Sequence, residues 1–435
     1  MQEKLIKLLI ICPVFREYRF CERWHLMTQL YDDVDVTLIA PRRWCWKGKG
    51  GYSFGKDLTW EGEALEKPRF RIRLVDMNQI PSVGWFSWRM IHEIHKCQAD
   101  MIYHIGNEME LAFLEVLVTA RLLSPKSKIS VFTMRGLPYQ IQNNPSAYSG
   151  ACRNVSVIRR IINNTKNYIH YIGGALKWKL VRKYTSAIFC HYPEARCLFM
   201  REGYSNPIYI QTQIGVDSRF YRRDEEQRES IRSKYNLGDS YVFVSATRLA
   251  LEKGIMEILE ALPETGNWKY LTLGSGPTAE ESQIRALIEK RGLSEKVILP
   301  GLIDWREMPA YWSAADCMIH VPRTTPTWID TFPVAVAQAM SIGLPVIGNS
   351  SGAVPYQLGG EGIIVPEGDI GALRNAMTLL MEHPEKGEQI GRRLRERVLK
   401  SFDITHLSHC FHSILLDVVE GVYDPRKMDM ADFKA

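Results

Sequence analysis

An acidic residue lies just ahead of a helix start in the stretch from Thr324 to Ile347. Asp330 precedes Thr331, a residue type that caps helices, and Pro333 falls in the first turn, where its missing N–H costs nothing. A helix N-terminus presents free N–H groups and about half a positive charge, which suits an anion. Gln338 follows Asp330 by eight residues, roughly 12 Å along a helix. The stretch predicts an anion-binding helix, although an ordinary amphipathic helix has the same pattern.

Two cations and a glycine-rich turn precede this stretch. Arg248 follows an apolar run at 241–246, and Lys253 opens the next helical segment. Two cations beside a helix N-terminus suit a diphosphate. Gly274 and Gly276 follow the next apolar run, and glycine lets a ligand approach the backbone closely. Each feature is common on its own, so the interpretation depends on their order.

The elements that must position these residues are short apolar strands alternating with helices. We predict strands at 5–14, 34–40, 70–75, 100–105, 128–134, 187–190 and 208–210, and a second series at 241–246, 270–273, 297–299, 317–320, 344–347 and 363–365. The last predicted helices are 370–382, 386–401 and 405–419. Apolar strands separated by helices indicate parallel sheets with both faces covered. Two such series predict a ligand at the carboxyl ends of the strands, in a cleft between two domains.

Composition and cysteine usage narrow the class of protein. The chain has 435 residues, of which 46% are hydrophobic and 24% charged. These fractions are typical of globular proteins. The apolar run at 5–11 contains Lys7 and lacks a following cleavage site, so we interpret it as a strand rather than a signal peptide. No run reaches the length of a membrane span. Nine cysteines without paired spacing indicate free thiols in a reducing cytoplasm.

The positive charge is concentrated in one segment. Residues 116–193 contain twelve Lys or Arg and no Asp or Glu, within a chain of net charge +6. Within it, 146–186 predicts amphipathic helices interrupted at Gly173-Gly174. The segment is either a surface for anionic partners, such as phospholipid or a phosphate-bearing substrate, or a solvated face.

Two histidine clusters have spacings that a metal ion tolerates. They are His92, His95 and Cys97, and His406, His409 and His412. Neither cluster has a paired second site, so we expect no metal.

In order and spacing, the motifs of the second strand series resemble those of the family 4 glycosyltransferases, which have the GT-B fold. The matching segments are Arg248-Leu249, Glu252-Lys253-Gly254, Gly274-Ser275-Gly276-Pro277, Leu299-Pro300-Gly301, Ala315-Asp316, Asp330-Thr331-Phe332-Pro333 and Gln338 to Ile347. Ile214 to Asp217 with Phe220 resembles the family's hinge signature. The resemblance covers about 214–400 strongly, and is weaker over 1–213.

The resemblance implies a retaining transfer of a sugar from a nucleotide-diphosphate sugar without a required metal. Arg248 and Lys253 would hold the diphosphate and stabilise the charge of the leaving group. Asp330 takes the place of the Glu that contacts the donor sugar, and Arg135 that of a sugar-contacting His. The implied donor-binding residues are Gly274, Gly276, Leu302 (beside the base), Thr331, Phe332, Pro333, Val334 and Gln338, with amides contributed by Phe332 and Val334.

Four positions depart from the family pattern. Asp330 and Gln338 stand where the family has two Glu, and Gln338 is neutral but still accepts a hydrogen bond. Tyr356 replaces another Glu, and Arg135 predicts an acidic sugar or an anionic acceptor. These departures leave open an alternative, a catalytically silent GT-B protein that binds a nucleotide sugar or serves as a partner subunit.

The resemblance implies an α/β protein with two Rossmann-like doubly wound domains facing across a cleft. We expect an acceptor domain at 1–213, a nucleotide-sugar domain at 214–402 and a C-terminal helix at 403–435 that packs back on the first domain. The donor would be a UDP- or GDP-sugar, and the acceptor a glycan, a lipid-linked glycan or another anionic molecule. We expect no nucleic-acid partner. The location would be cytoplasmic, with an anionic membrane surface as a partner of 116–193.

Overall fold

The computed structural model describes residues 5–12, 18–44, 58–59, 65–76, 78–80, 84–109, 111–137, 174–326 and 328–431. The chain divides into two compact units. Unit 1 comprises Met1–Ile214 and Thr405–Ala435, and unit 2 is Gly215–Ile404.

Unit 1 is built on an eight-stranded sheet. Its strands, with two short pairs beside it, are β1 (Ile6–Ile11), β2 (Val34–Pro41), β3 (Arg43–Trp44), β4 (Leu58–Thr59), β5 (Glu66–Lys67), β6 (Phe70–Val75), β7 (Asn78–Ile80), β8 (Gly84–Phe86), β9 (Met101–Ile105), β10 (Lys128–Phe132), β11 (Ala187–Cys190) and β12 (Ile208–Ile210). The sheet order is β12-β11-β10-β9-β1-β2-β6-β5, and each neighbouring pair is parallel except β5 with β6. The central strands are buried, as their continuous apolar sequences require.

Helices connect the parallel strands of unit 1. They are α1 (Glu22–Leu30), α2 (Trp88–Cys97), α3 (Leu111–Leu123), α4 (174–184) and α5 (Pro193–Arg201). The predicted amphipathic helices at 146–186 lie outside the described residues, apart from α4 and the two residues that follow it. Among the described residues, no helix combines the length and apolar character needed to cross a bilayer.

Unit 2 is a smaller doubly wound sheet. Its strands are β13 (Tyr241–Ala246), β14 (Trp268–Leu273), β15 (Val297–Gly301), β16 (Cys317–His320), β17 (Val346–Asn349) and β18 (Ile363–Val365). All neighbours pair in parallel, in the order β15-β14-β13-β16-β17-β18. The chain builds outward from β13 in one direction and then in the other, so the order reverses between β13 and β16. Such a switch point leaves a crevice at the carboxyl ends of the two strands.

The helices of unit 2 cover both faces of this sheet. They are α6 (Glu225–Lys234), α7 (Ile255–Ala261), α8 (Thr278–Lys290), α9 (Met308–Ala314), α10 (Val334–Ile342), α11 (Val354–Leu358), α12 (Ile370–Glu382) and α13 (Pro384–Ser401). Two parallel-sheet α/β units confirm the predicted fold class.

The last helix, α14 (Ile404–Glu420), packs into unit 1 from Thr405 onward. Its apolar face, which includes Phe411, lies in the unit 1 core, with the Phe411 ring centroid 4.7 Å from that of Trp24. The buried guanidinium of Arg23 donates to the carbonyls of Thr212 at 2.7 Å and Leu407 at 2.8 Å. Apolar burial and the hydrogen bond from Arg23 to Leu407 hold α14 in unit 1.

Candidate functional site

Three side chains converge at the switch point of the unit 2 sheet. Lys253 ends a single helical turn that follows β13, and His320 is the last residue of β16. Asp330 lies in the irregular segment between β16 and α10. Because β13 and β16 are neighbours in the sheet, their carboxyl ends bring Lys253 and His320 to the same edge.

One oxygen of Asp330 binds both of the other side chains. The Lys253 Nζ atom lies 2.9 Å from Asp330 Oδ2, and His320 Nε2 lies 3.1 Å from the same oxygen. The side chain of Lys253 is 14% exposed, that of Asp330 9% and that of His320 3%. Lys253 also lies over the Trp328 ring, 4.2 Å from its centroid. We call Lys253, His320, Trp328 and Asp330 the Asp330 cluster.

The Asp330 cluster keeps its carboxylate ionised. Burial acts to raise the pKa of Asp330, but the hydrogen bond to His320 and the charge of Lys253 outweigh it and hold the pKa well below the usual value. An ionised carboxylate only accepts hydrogen bonds, so the Nε2 atom of His320 must carry the proton.

Backbone contacts fix the two loops of the cluster. The amide of Ala353 donates to the Asp330 carbonyl at 2.9 Å. A Cβ on Gly352 would lie 2.0 Å from that carbonyl oxygen, and one on Gly254 would lie 1.9 Å from the Val321 oxygen. Both glycines have positive φ, at 57° and 74°. Glycine is therefore required where these loops touch.

Arg248 precedes Lys253 by five residues in the sequence, and its guanidinium forms an ion pair with Glu252. Its Nη2 atom lies 2.7 Å from Glu252 Oε1, with the two side chains 23% and 24% exposed. The predicted diphosphate ligands Arg248 and Lys253 are thus each paired with a carboxylate.

Helix α10 begins later than the sequence pattern indicates. Its first residue is Val334 and its N-cap residue is Pro333, with φ −70° and ψ 103° and no side-chain cap. The predicted capping role of Thr331 is therefore wrong, because the residue that caps α10 is Pro333, two residues later. The amide of Val334 is at the first helical position, where α-helix N–H groups have no intrahelical partner. Phe332 is buried, with its ring centroid 5.4 Å from that of Phe402.

Gln338 is anchored by a tyrosine from the start of unit 2. Its Nε2 atom donates to the Tyr221 hydroxyl at 2.9 Å, and the Ser341 hydroxyl donates to the Tyr221 carbonyl at 2.7 Å. Tyr221 therefore contacts α10 at two positions on one face.

The backbone of the preceding loop leaves no room for a side chain at the glycines of the predicted phosphate turn. A Cβ on Gly274 would lie 2.0 Å from the Thr247 oxygen, and one on Gly276 would lie 2.0 Å from the Leu249 oxygen. The close backbone approach is thus between the loops after β13 and β14. Leu302, the predicted neighbour of the base, follows β15 and is 81% exposed.

Arg135 is paired within unit 1. It lies in unit 1 after β10, with a side chain that is 0% exposed. It pairs with Glu108 at 3.2 Å and Glu202 at 2.6 Å, and stands 4.4 Å from the Phe199 ring centroid. Thr133 also donates to Glu108 at 2.6 Å. The predicted contact with a sugar is not supported, because the guanidinium is enclosed and its charge is balanced by two carboxylates.

We expect Arg135→Leu to destabilise the protein by about 3 kcal/mol, because removing one partner of a buried ion pair leaves the other uncompensated. The matched control is Arg89→Leu, since Arg89 lies 3.7 Å from Asp76 with both side chains about two-thirds exposed; its cost should stay below about 1 kcal/mol. Urea unfolding measures both. An Arg135→Leu variant of unchanged stability that loses sugar transfer would return Arg135 to the site.

The histidines of the second cluster each contact a different group. His406 contacts the Met430 carbonyl at 2.9 Å, His409 the Tyr31 hydroxyl at 2.5 Å, and His412 Asp33 at 2.8 Å. Within the described ranges, no group of three or more His, Cys, Asp or Glu residues could hold a metal ion.

Sequence reasoning missed two participants in this site, His320 and Tyr221. A histidine ending an apolar strand and a tyrosine after the hinge signature both look like core residues. The one available signal for His320 was its position at the carboxyl end of a predicted buried strand, where ligand-binding residues collect.

Known proteins resemble this chain over unit 2 in sequence and over both units in fold. Residues 227–397 match the family model described as glycosyl transferases group 1. A GDP-mannose-dependent alpha-(1-6)-phosphatidylinositol monomannoside mannosyltransferase of Mycolicibacterium smegmatis is 29% identical over 41% of this chain and 48% of its own length. The putative colanic acid biosynthesis glycosyltransferase WcaL of Salmonella typhimurium is 31% identical over 40% of this chain and 44% of its own. The chain thus spans about half the length of the curated relatives it matches.

A solved structure extends the likeness to both units. The crystal structure of Anabaena HepE in complex with UDP has a TM-score of 0.65, covering 95% of this chain and 100% of that chain at 14% identity. A glycosyltransferase structure from Rickettsia africae has the same TM-score at 12% identity, covering 95% of this chain. At these identities the likeness shows the fold.

Proposed function

We propose that this chain, which belongs to the GT-B glycosyltransferases and carries a group 1 glycosyl transferase domain at 227–397, is a retaining glycosyltransferase. Its donor is a nucleotide-diphosphate sugar. The acceptor is a glycan, a lipid-linked glycan or another anionic molecule.

The observation that carries this proposal is the position of the Asp330 cluster at the switch point of unit 2. In doubly wound sheets, ligands bind in the crevice at this point. The cluster supplies a preoriented ammonium, Arg248 follows the same strand, β13, that precedes Lys253, and the amide of Val334 opens α10. Cations and a helix N-terminus are the groups that bind a diphosphate.

The chemistry follows from where negative charge develops. When the bond between the anomeric carbon and the diphosphate breaks, its electron pair leaves with the nucleoside diphosphate. The acceptor oxygen bonds to the same carbon, and the acceptor hydroxyl proton is released to water. The nucleoside diphosphate then carries the added charge. Lys253, Arg248 and the Val334 amide would stabilise that charge without reorganising, which is the main source of catalysis by such sites.

The donor is a UDP- or GDP-sugar in this proposal. The Mycolicibacterium relative is named as GDP-mannose-dependent, and the HepE structure contains UDP. Both support a nucleoside diphosphate, and neither distinguishes the base for this chain. Among the described residues, no group of three or more His, Cys, Asp or Glu could hold a metal ion. The proposed stabilisation uses the chain's own cations.

The proposed acceptor is anionic because of the basic segment at 116–193. Its described part includes exposed Lys126, Lys179, Arg182 and Lys183. These side chains suit phosphate groups, whether on a lipid-linked acceptor or on an anionic membrane surface. Much of the segment lies outside the described residues, so the membrane association stays a prediction.

A nucleotide screen followed by a transfer assay tests the proposal. UDP, GDP and their sugars should raise the melting temperature, because a ligand that binds only the folded state stabilises it. Release of nucleoside diphosphate from one of those sugars should then be catalysed. Binding without turnover over a panel of acceptors would favour the silent alternative, which the Asp330 and Gln338 departures motivate. No binding would contradict the proposal.

A further inference from the structure

We propose that His320 is a positioning residue of the donor site. Through Asp330 it fixes the ammonium of Lys253, so that Asp330 acts on Lys253 rather than on the donor sugar. This inference rests on the proposed function, and it assigns to two side chains a task that the family resemblance does not give them.

The first argument is that His320 and Lys253 share one acceptor. Both donate to Asp330 Oδ2, at 3.1 Å and 2.9 Å. A hydrogen bond from a rigid ring limits the rotation of the carboxylate, and a fixed carboxylate limits the ammonium. His320 ends a buried strand whose register with β17 pairs it with Gly348, so the ring is held by the sheet itself.

The second argument is that contacts hold the backbone of Asp330 in place. Its carbonyl accepts from the Ala353 amide at 2.9 Å, and the Gly352 backbone lies directly against it. A Glu at this position would carry its carboxylate about 1.5 Å farther, the length of one C–C bond. The shorter Asp, on a clamped backbone, matches the distance to His320 and Lys253.

The third argument is that two contacts hold the ammonium of Lys253 in place. Its ammonium has three N–H groups. One faces Asp330, and the Trp328 ring lies 4.2 Å from Nζ. Two fixed contacts preorganise a long side chain that would otherwise be mobile, and preorganisation lowers the cost of binding a diphosphate.

The test measures dissociation constants of UDP and GDP by calorimetry, with kcat and KM for whichever donor sugar is active. His320→Leu removes the donor, and His320→Gln keeps an N–H near the position of Nε2. We expect His320→Leu to weaken nucleoside diphosphate binding by roughly tenfold, as lost orienting contacts commonly do. His320→Gln should stay within about threefold. His320→Asn is polar but too short to reach Asp330, so it should lose as much nucleoside diphosphate affinity as His320→Leu. It replaces His320→Leu in the test if the Leu variant fails to fold.

The decisive comparison is made in a Lys253→Ala background. A residue that acts through Lys253 has no further effect once Lys253 is absent, because effects within one unit are non-additive. Adding His320→Leu there should change affinity by less than about twofold. The same tenfold loss in both backgrounds would overturn the inference, as would wild-type affinity in His320→Leu and His320→Asn.

A matched control separates this effect from loss of any buried His–Asp pair. His412 contacts Asp33 at 2.8 Å in unit 1, and His412→Leu should leave nucleoside diphosphate affinity unchanged. An equal loss in His412→Leu would mean a general structural effect and overturn the inference. If the wild-type protein binds neither UDP nor GDP, the proposed function fails first. If the wild-type protein binds one of them, and His320→Leu and His320→Asn bind it with the wild-type dissociation constant, the inference alone fails.

Discussion

Replacing Lys253 by alanine is expected to lower kcat/KM for sugar transfer by about a hundredfold or more, the usual consequence of removing one preorganised group at the developing charge. The variant loses the ammonium that lies against Asp330 and Trp328 at the switch point. Within the Asp330 cluster, His320 then remains as the hydrogen-bond donor to the Asp330 carboxylate. A steady-state assay with the active donor measures the effect.

The control for this variant is Lys290→Ala, which removes an exposed lysine at the end of α8 in the same unit. It should leave kcat/KM within about twofold of the natural protein. Arg248→Ala should reduce transfer in the same direction as Lys253→Ala, because both cations are proposed to bind the diphosphate. Unchanged transfer in both Lys253→Ala and Arg248→Ala would contradict the site.

The second large effect is expected for Asp330→Asn. The substitution keeps the shape of the side chain but removes the negative charge that Lys253 and His320 share. We therefore expect the rate of transfer to fall by about a hundredfold, as for Lys253→Ala.

The pKa of the Asp330 carboxylate lies below its unfolded value. Its contribution to stability is therefore fully present above the unfolded pKa and is lost only as the pH falls through the lower folded value.

A double substitution distinguishes the active protein from the silent one. Asp330→Glu with Gln338→Glu restores both acids of the family pattern. If the natural protein is active, we expect this variant to be weaker, because a longer carboxylate does not fit between His320 and Lys253 on the clamped backbone. Activity that appears in this variant and is absent from the natural protein would support the silent alternative.

Local patterns were sufficient for most of the fold. The predicted strand at 241–246 and helix at 370–382 have the predicted bounds, because each is a single run with one periodicity. The helix after Asp330 was harder. Thr331 has the identity of a cap, but the extended backbone at Pro333 delays the helix to Val334. Such a delay depends on contacts with other loops, which a local pattern does not contain.

The site required information from distant parts of the chain. Lys253 and Asp330 are 77 residues apart, and only the adjacency of β13 and β16 brings them together. The motif order had placed both in one donor site, but it did not indicate their direct contact. The pairing of Arg135 was missed for the same reason, since one of its partners, Glu202, is 67 residues away and nothing local shows that its charge is already paired.

The central claim is that the carboxyl edge of the unit 2 sheet binds the diphosphate of a nucleotide sugar. Titration calorimetry of UDP and GDP against the natural protein and the Arg248→Ala, Lys253→Ala double variant tests it most directly. We predict that at least one nucleotide binds the natural protein at one site per chain, and that the double variant loses at least tenfold in affinity, about 1.4 kcal/mol. Equal affinity in the two proteins, or binding of neither nucleotide to the natural protein, would contradict the claim.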